Sequence, residues 1–119
     1  MTNAKRGEVW LVDLNPTRGQ ELQKTRPVII ISSDLFDLIS LKIAIPVTSW
    51  QDKFRERPFM VRIDANPDNR LDRDSAGNIL QVRSLSTDRF VKRLGQMSTE
   101  VLQELLSGLI VRTDYELKS

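Results

Sequence analysis

Apolar positions in this chain fall into short runs with a period of two, followed by one stretch with a period between three and four. Glu8 to Leu14 places Trp10, Val12 and Leu14 on one strand face and Val9 and Leu11 on the other. Pro27 to Ser32 is continuous and apolar, which predicts a central strand. Pro27 has no N–H and is expected at the strand's first residue. Pro27 also biases Arg26 toward extended backbone. Lys42 to Thr48 predicts a third strand, with Ile43, Ile45 and Val47 sharing a face and Pro46 marking an edge or bulge. Phe59 to Ile63 predicts a fourth strand paired with the third. Ile79 to Leu85 predicts a fifth, with Leu80, Val82 and Ser84 on one face and Gln81, Arg83 and Leu85 on the other. Asp88 to Leu94 predicts a short last strand. Residues 1 to 6 are expected to fray, and Ser33 to Leu38 to form a short helical turn.

The last pattern is helical. Val101, Leu102, Leu105, Leu106, Leu109 and Ile110 recur at three and four, behind Ser98 as N-cap and Glu100 in the first turn. The prediction is a single domain over 1–119, mainly β: a small, mostly antiparallel barrel with a C-terminal α-helix. Pattern alone leaves open several small barrels, the OB-fold among them.

Two polar stretches interrupt the strands. Asn15 to Arg26 reads NPTRGQELQKTR and sets Arg18, Lys24 and Arg26 against Glu21. A cationic loop anchored by two strands suits a phosphate site, and also suits an ordinary solvated connection. Trp50 to Pro58 is a second charged loop. Residues 64–78 read as a loop with no core element, and their aspartates lack the glycine and glutamate positions of a calcium loop.

Composition narrows the chemistry. Of 119 residues none is cysteine or histidine, which removes disulfides, typical zinc sites and the commonest general base. The net charge is only +2, but basic and acidic regions alternate along the chain. A polyanion-binding face results if the basic regions converge. Neither a signal peptide nor a run long enough to span a bilayer is visible, so a cytoplasmic protein with no membrane association is expected.

Three segments carry a resemblance. Arg6-Gly7-Glu8-Val9-Trp10, Asp13 to Glu21, and Lys24-Thr25-Arg26-Pro27-Val28 resemble the opening of the MazF/PemK family of toxin endoribonucleases. Val47-Thr48-Ser49 and Gln81 to Ser86 extend the likeness over nearly the whole chain. The resemblance implies an SH3-like barrel, a two-fold homodimer and a cognate antitoxin, and residues 64–85 are the candidate contribution to the dimer interface and a shared RNA groove. It also implies sequence-specific, metal-independent cleavage of single-stranded RNA, chiefly mRNA, with no cofactor. Arg26 matches the family's catalytic arginine, Thr48 its catalytic threonine, and Glu21 an acid proposed as base in some members. The segment from Pro16 to Gly19 matches the loop over the site.

RNA can be cut by its own 2′-hydroxyl if that group is deprotonated, the phosphorane charge is stabilised and the 5′-oxygen is protonated. The ends are then a 2′,3′-cyclic phosphate and a 5′-hydroxyl. Candidate RNA-binding residues are Thr17, Arg18, Gln20, Lys24, Ser49, Trp50, Phe54, Arg55, Arg57, Gln81 and Arg83; no metal ligands are expected. Unpaired bases are read by stacking and edge hydrogen bonds. Two alternatives remain at this level: a non-catalytic nucleic-acid-binding barrel, and a peptide-binding one.

Overall fold

A computed structural model describes residues 3–14, 25–36 and 38–113. Its strands are β1 (Glu8–Asp13), β2 (Thr25–Ile30), β3 (Leu41–Ser49), β4 (Met60–Ile63), β5 (Ser75–Asn78), β6 (Arg83–Ser86) and β7 (Phe90–Gln96), followed by helix α1 (Thr99–Arg112). Every pairing is antiparallel. The order is β4-β5-β3-β2-β1-β7, with β6 branching from β3. Among the described residues no pairing joins β4 to β7, and the expected mainly antiparallel β fold with one C-terminal helix is what the strands and α1 form.

β3 is the hub. Its first half, Leu41 to Ala44, pairs with β6, and its last three residues pair with β5. Ile45 and Pro46 lie at the changeover, where a residue without an N–H breaks neither ladder. β2 begins at Thr25, two residues earlier than Pro27 alone suggests. Pro27 lies opposite Leu11 of β1, and pairing with β3 starts only at Val28, so the proline is accommodated at the end of that ladder.

The sheet buries both faces. Val9, Ile29, Ile45, Val47, Val61, Ile63, Ile79, Leu102 and Leu105 form one cluster beneath α1. Val12, Val28, Ile30, Ala44, Leu85 and Phe90 form the other, joined by Trp10 and Leu14. This explains why β2 reads as continuously apolar rather than alternating. Ala4 is fully buried in the second cluster, and Arg6 donates its backbone N–H to Asp34 Oδ1 at 2.8 Å, so the expected fraying does not extend to these residues.

Several strand expectations are corrected. Residues 75–78, read as turn, form β5, and β5 rather than β3 is the partner of β4. Ser-Ala-Gly-Asn has poor strand propensity. Here small side chains are what the position demands: Ala76 is completely buried, and a Cβ on Gly77 would meet Leu105, Ile45 and Ile63. Ile79 to Gln81 is a 3-10 turn, not the start of a strand, and β6 opens only at Arg83. Thr87–Arg89 is likewise a 3-10 turn, and β7 runs on through Gly95 to Gln96. Ile43 does not share the burial of Ile45 and Val47. It is 46% exposed, while Lys42 is buried at 4%. The cover over that face stops at Ile45.

The helix follows its pattern. Ser98 Oγ accepts the Val101 N–H at 3.2 Å, satisfying one free amide of the first turn. Leu102 and Leu105 are buried, each stabilising the docking by about 1.5–3 kcal/mol. Gly108 serves close approach: a Cβ there would collide with Ile79 Cδ1.

The loop between β4 and β5 is built, not solvated. Asn69, 1% exposed, accepts the Asn66 N–H at 3.1 Å and the Leu71 N–H at 3.0 Å, and donates to Asp64 O at 3.0 Å. Leu71 enters the core. Gln96 N–H donates to Asp68 O at 2.8 Å, tying the loop to β7. Gly95 makes that approach possible, since a Cβ there would collide with the same carbonyl.

Candidate functional site

Arg26 and Thr48 are brought together by register. Val28 of β2 pairs with Pro46 of β3. Two residues further toward the open end in each strand stand Arg26 and Thr48, facing one another beyond the last β2–β3 pair. Side chains two apart share a face, so both project from the same side of the sheet. Thr48 is fixed on its other flank by pairing with Ala76 of β5, and Arg26 by pairing with Val12 of β1.

These two residues, with Val47, form the shared wall of two clefts. One, of about 390 Å³, is lined beyond that wall by Phe54, Arg57, Phe59, Met60, Asn78 and Gln81. The other, of about 380 Å³, is lined by Pro27, Ser49, Leu71, Asp72, Arg73 and Ser75. The first mixes the aromatic and apolar side chains of Phe54, Phe59 and Met60 with the polar ones of Arg57, Asn78 and Gln81. The second is polar and charged. An anion resting on the wall between them would meet the Arg26 guanidinium and the Thr48 hydroxyl together, the pair of donors that a phosphate calls for.

Charge is distributed unevenly around this site. Arg62 donates to Asp64 and to Asp74, each at 2.9 Å, and Arg93 to Glu8 at 2.9 Å. The Asp64 hydrogen bond, reinforced by the charges of both aspartates, holds the Arg62 guanidinium above its ordinary pKa. By contrast, no ion pair with a described carboxylate engages Arg26, Arg57 or Arg73, and these three line the clefts.

Of the sequence candidates, Arg26, Thr48, Ser49, Phe54, Arg57 and Gln81 come together here. Phe54 is mostly buried, in a small cluster with Met60 and Ala76, and offers the cleft only part of its ring. Trp50 lies outside both clefts. It packs edge-on to Phe54, with the Arg62 guanidinium 5.0 Å from its ring centroid, so both of its neighbours are structural. Arg55 stands apart, 3.8 Å from Asp52, and Arg83 is exposed at the start of β6. Thr17, Arg18, Gln20, Glu21 and Lys24 lie outside the described residues.

Sequence reasoning missed Asn78, Phe59 and Met60 on one side and Asp72, Arg73 and Ser75 on the other. Ser75 and Asn78 lie on β5 and Asp72 and Arg73 just before it, the strand that composition concealed, whereas Phe59 and Met60 stand at the start of β4. Asn78 Oδ1 is buried with no partner among the described residues, a polar atom the isolated fold leaves unsatisfied.

Both the sequence and the fold are similar to those of known proteins. The chain is 32% identical over 116 residues to Endoribonuclease MazF9 of Mycobacterium tuberculosis, covering 92% of this chain and 96% of that protein. The fold matches a MazE–MazF crystal structure from Deinococcus radiodurans with a TM-score of 0.80 at 21% identity, over 98% of this chain and 100% of that one. It also matches a mycobacterial endoribonuclease in complex with its cognate antitoxin, with a TM-score of 0.74 at 18% identity, over 97% and 99% of the two chains. Residues 5–111 match the model of the PemK-like, MazF-like toxins of type II toxin–antitoxin systems, and the chain belongs to that family.

Proposed function

We propose that this protein is an endoribonuclease toxin that cuts single-stranded RNA, chiefly mRNA, at a short recognition sequence without a metal ion. The observation that carries the reading is the placement of Arg26 and Thr48 across from each other on the shared wall of two clefts. A phosphodiester laid over that wall has room for one flanking nucleotide in each cleft.

The 2′-oxygen attacks phosphorus and the bond to the 5′-oxygen breaks, leaving a 2′,3′-cyclic phosphate and a 5′-hydroxyl. Arg26 holds the non-bridging oxygens as negative charge grows on them, its planar fork making two charge-assisted hydrogen bonds. Thr48 donates a third. Glu21, which falls between β1 and β2 in the sequence, takes the proton from the 2′-hydroxyl and returns it to the departing 5′-oxygen. An Arg side chain is a poor proton donor because a guanidinium holds its proton far above neutral pH. Its role is therefore charge stabilisation. Phe54 and Phe59 give a flanking base an apolar wall, and Gln81 and Asn78 offer amides to its edge.

The protein acts in the cytoplasm, where mRNA is exposed, and among the described residues no helix is long and apolar enough to cross a membrane. An acidic antitoxin segment neutralises it by covering the cationic face; a mycobacterial endoribonuclease of the same fold is found in complex with its cognate antitoxin. A homodimer is supported by the apolar surface the fold leaves open: Leu38 is 99% exposed and Ile39, Leu41 and Ile43 about half exposed. In the 64–85 span much of Asn69 to Ile79 is consumed by the protomer's own core, and Leu80 is the large apolar side chain left exposed there.

The test is incubation of purified protein with RNA in excess EDTA. Fragments ending in 2′,3′-cyclic phosphate support the reading, and a 2′-deoxy substitution at the cut position should abolish cleavage. Tight RNA binding with no cleavage by the wild type would replace the enzyme with a non-catalytic binding barrel.

A further inference from the structure

The second cleft does not end at Arg73. It shares Pro27, Leu71 and Asp72 with a third cleft of about 380 Å³, whose remaining walls include Leu11, Arg70, Lys92 and Leu94. The second and third clefts thus adjoin through these residues and together form a groove that starts at the Arg26–Thr48 wall. Arg73, Arg70 and Lys92 line it, against the single carboxylate of Asp72. All three cations are exposed, and none is ion-paired among the described residues.

Their backbone is held in place. Arg70 has left-handed backbone, with φ of 55°, and sits between the buried Asn69 and the core residue Leu71. Lys92 is set on β7 opposite Leu11 of β1. Pro27, Leu71, Leu11 and Leu94 supply apolar surface between the cations. A groove with fixed cations and apolar surface is what a single strand needs: the cations follow phosphates, and bases lie on apolar or planar groups.

We infer that the RNA strand continues from the scissile phosphate along this groove, its backbone passing Arg73, Arg70 and Lys92. The inference rests on the endoribonuclease reading and adds to it a directional extension of the binding site, on one side of the cut only. An acidic peptide would meet the same cations. RNA is favoured because the groove shares its walls with the clefts where the phosphodiester is cut, so a strand held there enters it without leaving the surface.

The experiment uses the full chain and the wild type's own mapped cleavage site. A minimal RNA spanning that site, with 2′-deoxyribose at the cut position, is compared with versions lengthened by several nucleotides at the 5′ or the 3′ end. Affinity is read by fluorescence anisotropy across a salt series. Wild type should gain about tenfold or more from extension at one end and little at the other. In the double variant Arg70→Asn, Lys92→Ala the gain should vanish. Asparagine tolerates the left-handed backbone, so the loop is preserved. The salt slope on the extended RNA should fall by about 1.4, since each of the two phosphates no longer neutralised accounts for about 0.7. Retention of the gain by the variant, or equal gains at both ends in wild type, overturns the inference. So does a variant that keeps the RNA gain but loses affinity for a polyglutamate peptide, which would assign the groove to an acidic protein partner. Failure of wild type to cleave any RNA strikes at the enzyme reading itself, whereas cleavage without a directional gain removes the groove alone.

Discussion

Arg26 and Thr48 face each other across β2 and β3, two residues past the last pair those strands form. The sheet thus holds both backbones while leaving both side chains at its open end. Arg26→Ala should lower single-turnover cleavage of a defined RNA by roughly a hundredfold or more, as removal of an oxyanion-stabilising donor does. Arg26→Lys keeps the charge without the fork and should remain severely impaired. Arg26 is exposed, so circular dichroism should report a folded protein in both cases. A near-normal rate in folded Arg26→Ala would take the residue out of the mechanism.

Thr48 is separable by a smaller change. Thr48→Val keeps the branched shape, and the backbone pairing with Ala76 does not depend on the hydroxyl. A hydrogen bond to a charged group is worth about 1.5–3 kcal/mol, so cleavage should slow by roughly tenfold to a hundredfold. Thr48→Ser, which keeps the hydroxyl, should recover most of the rate. Equal rates for the valine and serine variants would make Thr48 a strand residue only.

How much of this could be read in advance varied by element. β1, β2, β3 and α1 announced themselves because their apolar positions repeat over six or more residues. The Arg26–Thr48 relationship followed from motif rather than pattern, since register between residues so far apart in the chain cannot be read from periodicity. β5 stayed hidden because its burial is achieved with Ser75, Ala76 and Gly77, residues whose smallness reads as turn. Missing β5 had a direct consequence: the residues it carries or orients, Arg73 to Asn78, were absent from the candidate site. Trp50 misled in the opposite sense. An aromatic in a charged loop suggests a stacking platform, yet its ring is engaged by Phe54 and Arg62.

The apolar surface at the start of β3 gives a test of assembly. Ile43 is 46% exposed on a face that is buried two residues later. In an isologous dimer each substitution acts twice. Burial of an isoleucine contributes about 1.5–3 kcal/mol, so Ile43→Lys should weaken the dimer by about a hundredfold or more. Sedimentation velocity across a dilution series should show the variant as single chains where the wild type is paired. A wild type that sediments at single-chain mass at micromolar concentration would exclude the dimer.

The loop that carries Arg70 and Arg73 depends on one buried amide. Asn69 accepts two backbone N–H groups and donates to one carbonyl, at 3.0–3.1 Å throughout. Asn69→Ala removes all three bonds and leaves the Leu71 N–H without that acceptor in a buried position. An unsatisfied buried group costs about 1–3 kcal/mol, so the total loss should be about 2–4 kcal/mol. For a domain near this size each kcal/mol shifts Tm by about 4 °C, so the melting point should fall by roughly 8–16 °C. Asp68→Ala is the control. Asp68 is exposed, and the bond from Gln96 uses its backbone carbonyl, so this variant should stay within about 0.5 kcal/mol of wild type. Urea denaturation of both proteins decides the matter. If Asn69→Ala is no less stable than Asp68→Ala, the amide does not hold the loop, and the placement of Arg70 and Arg73 must rest on Leu71 and the contact with β7.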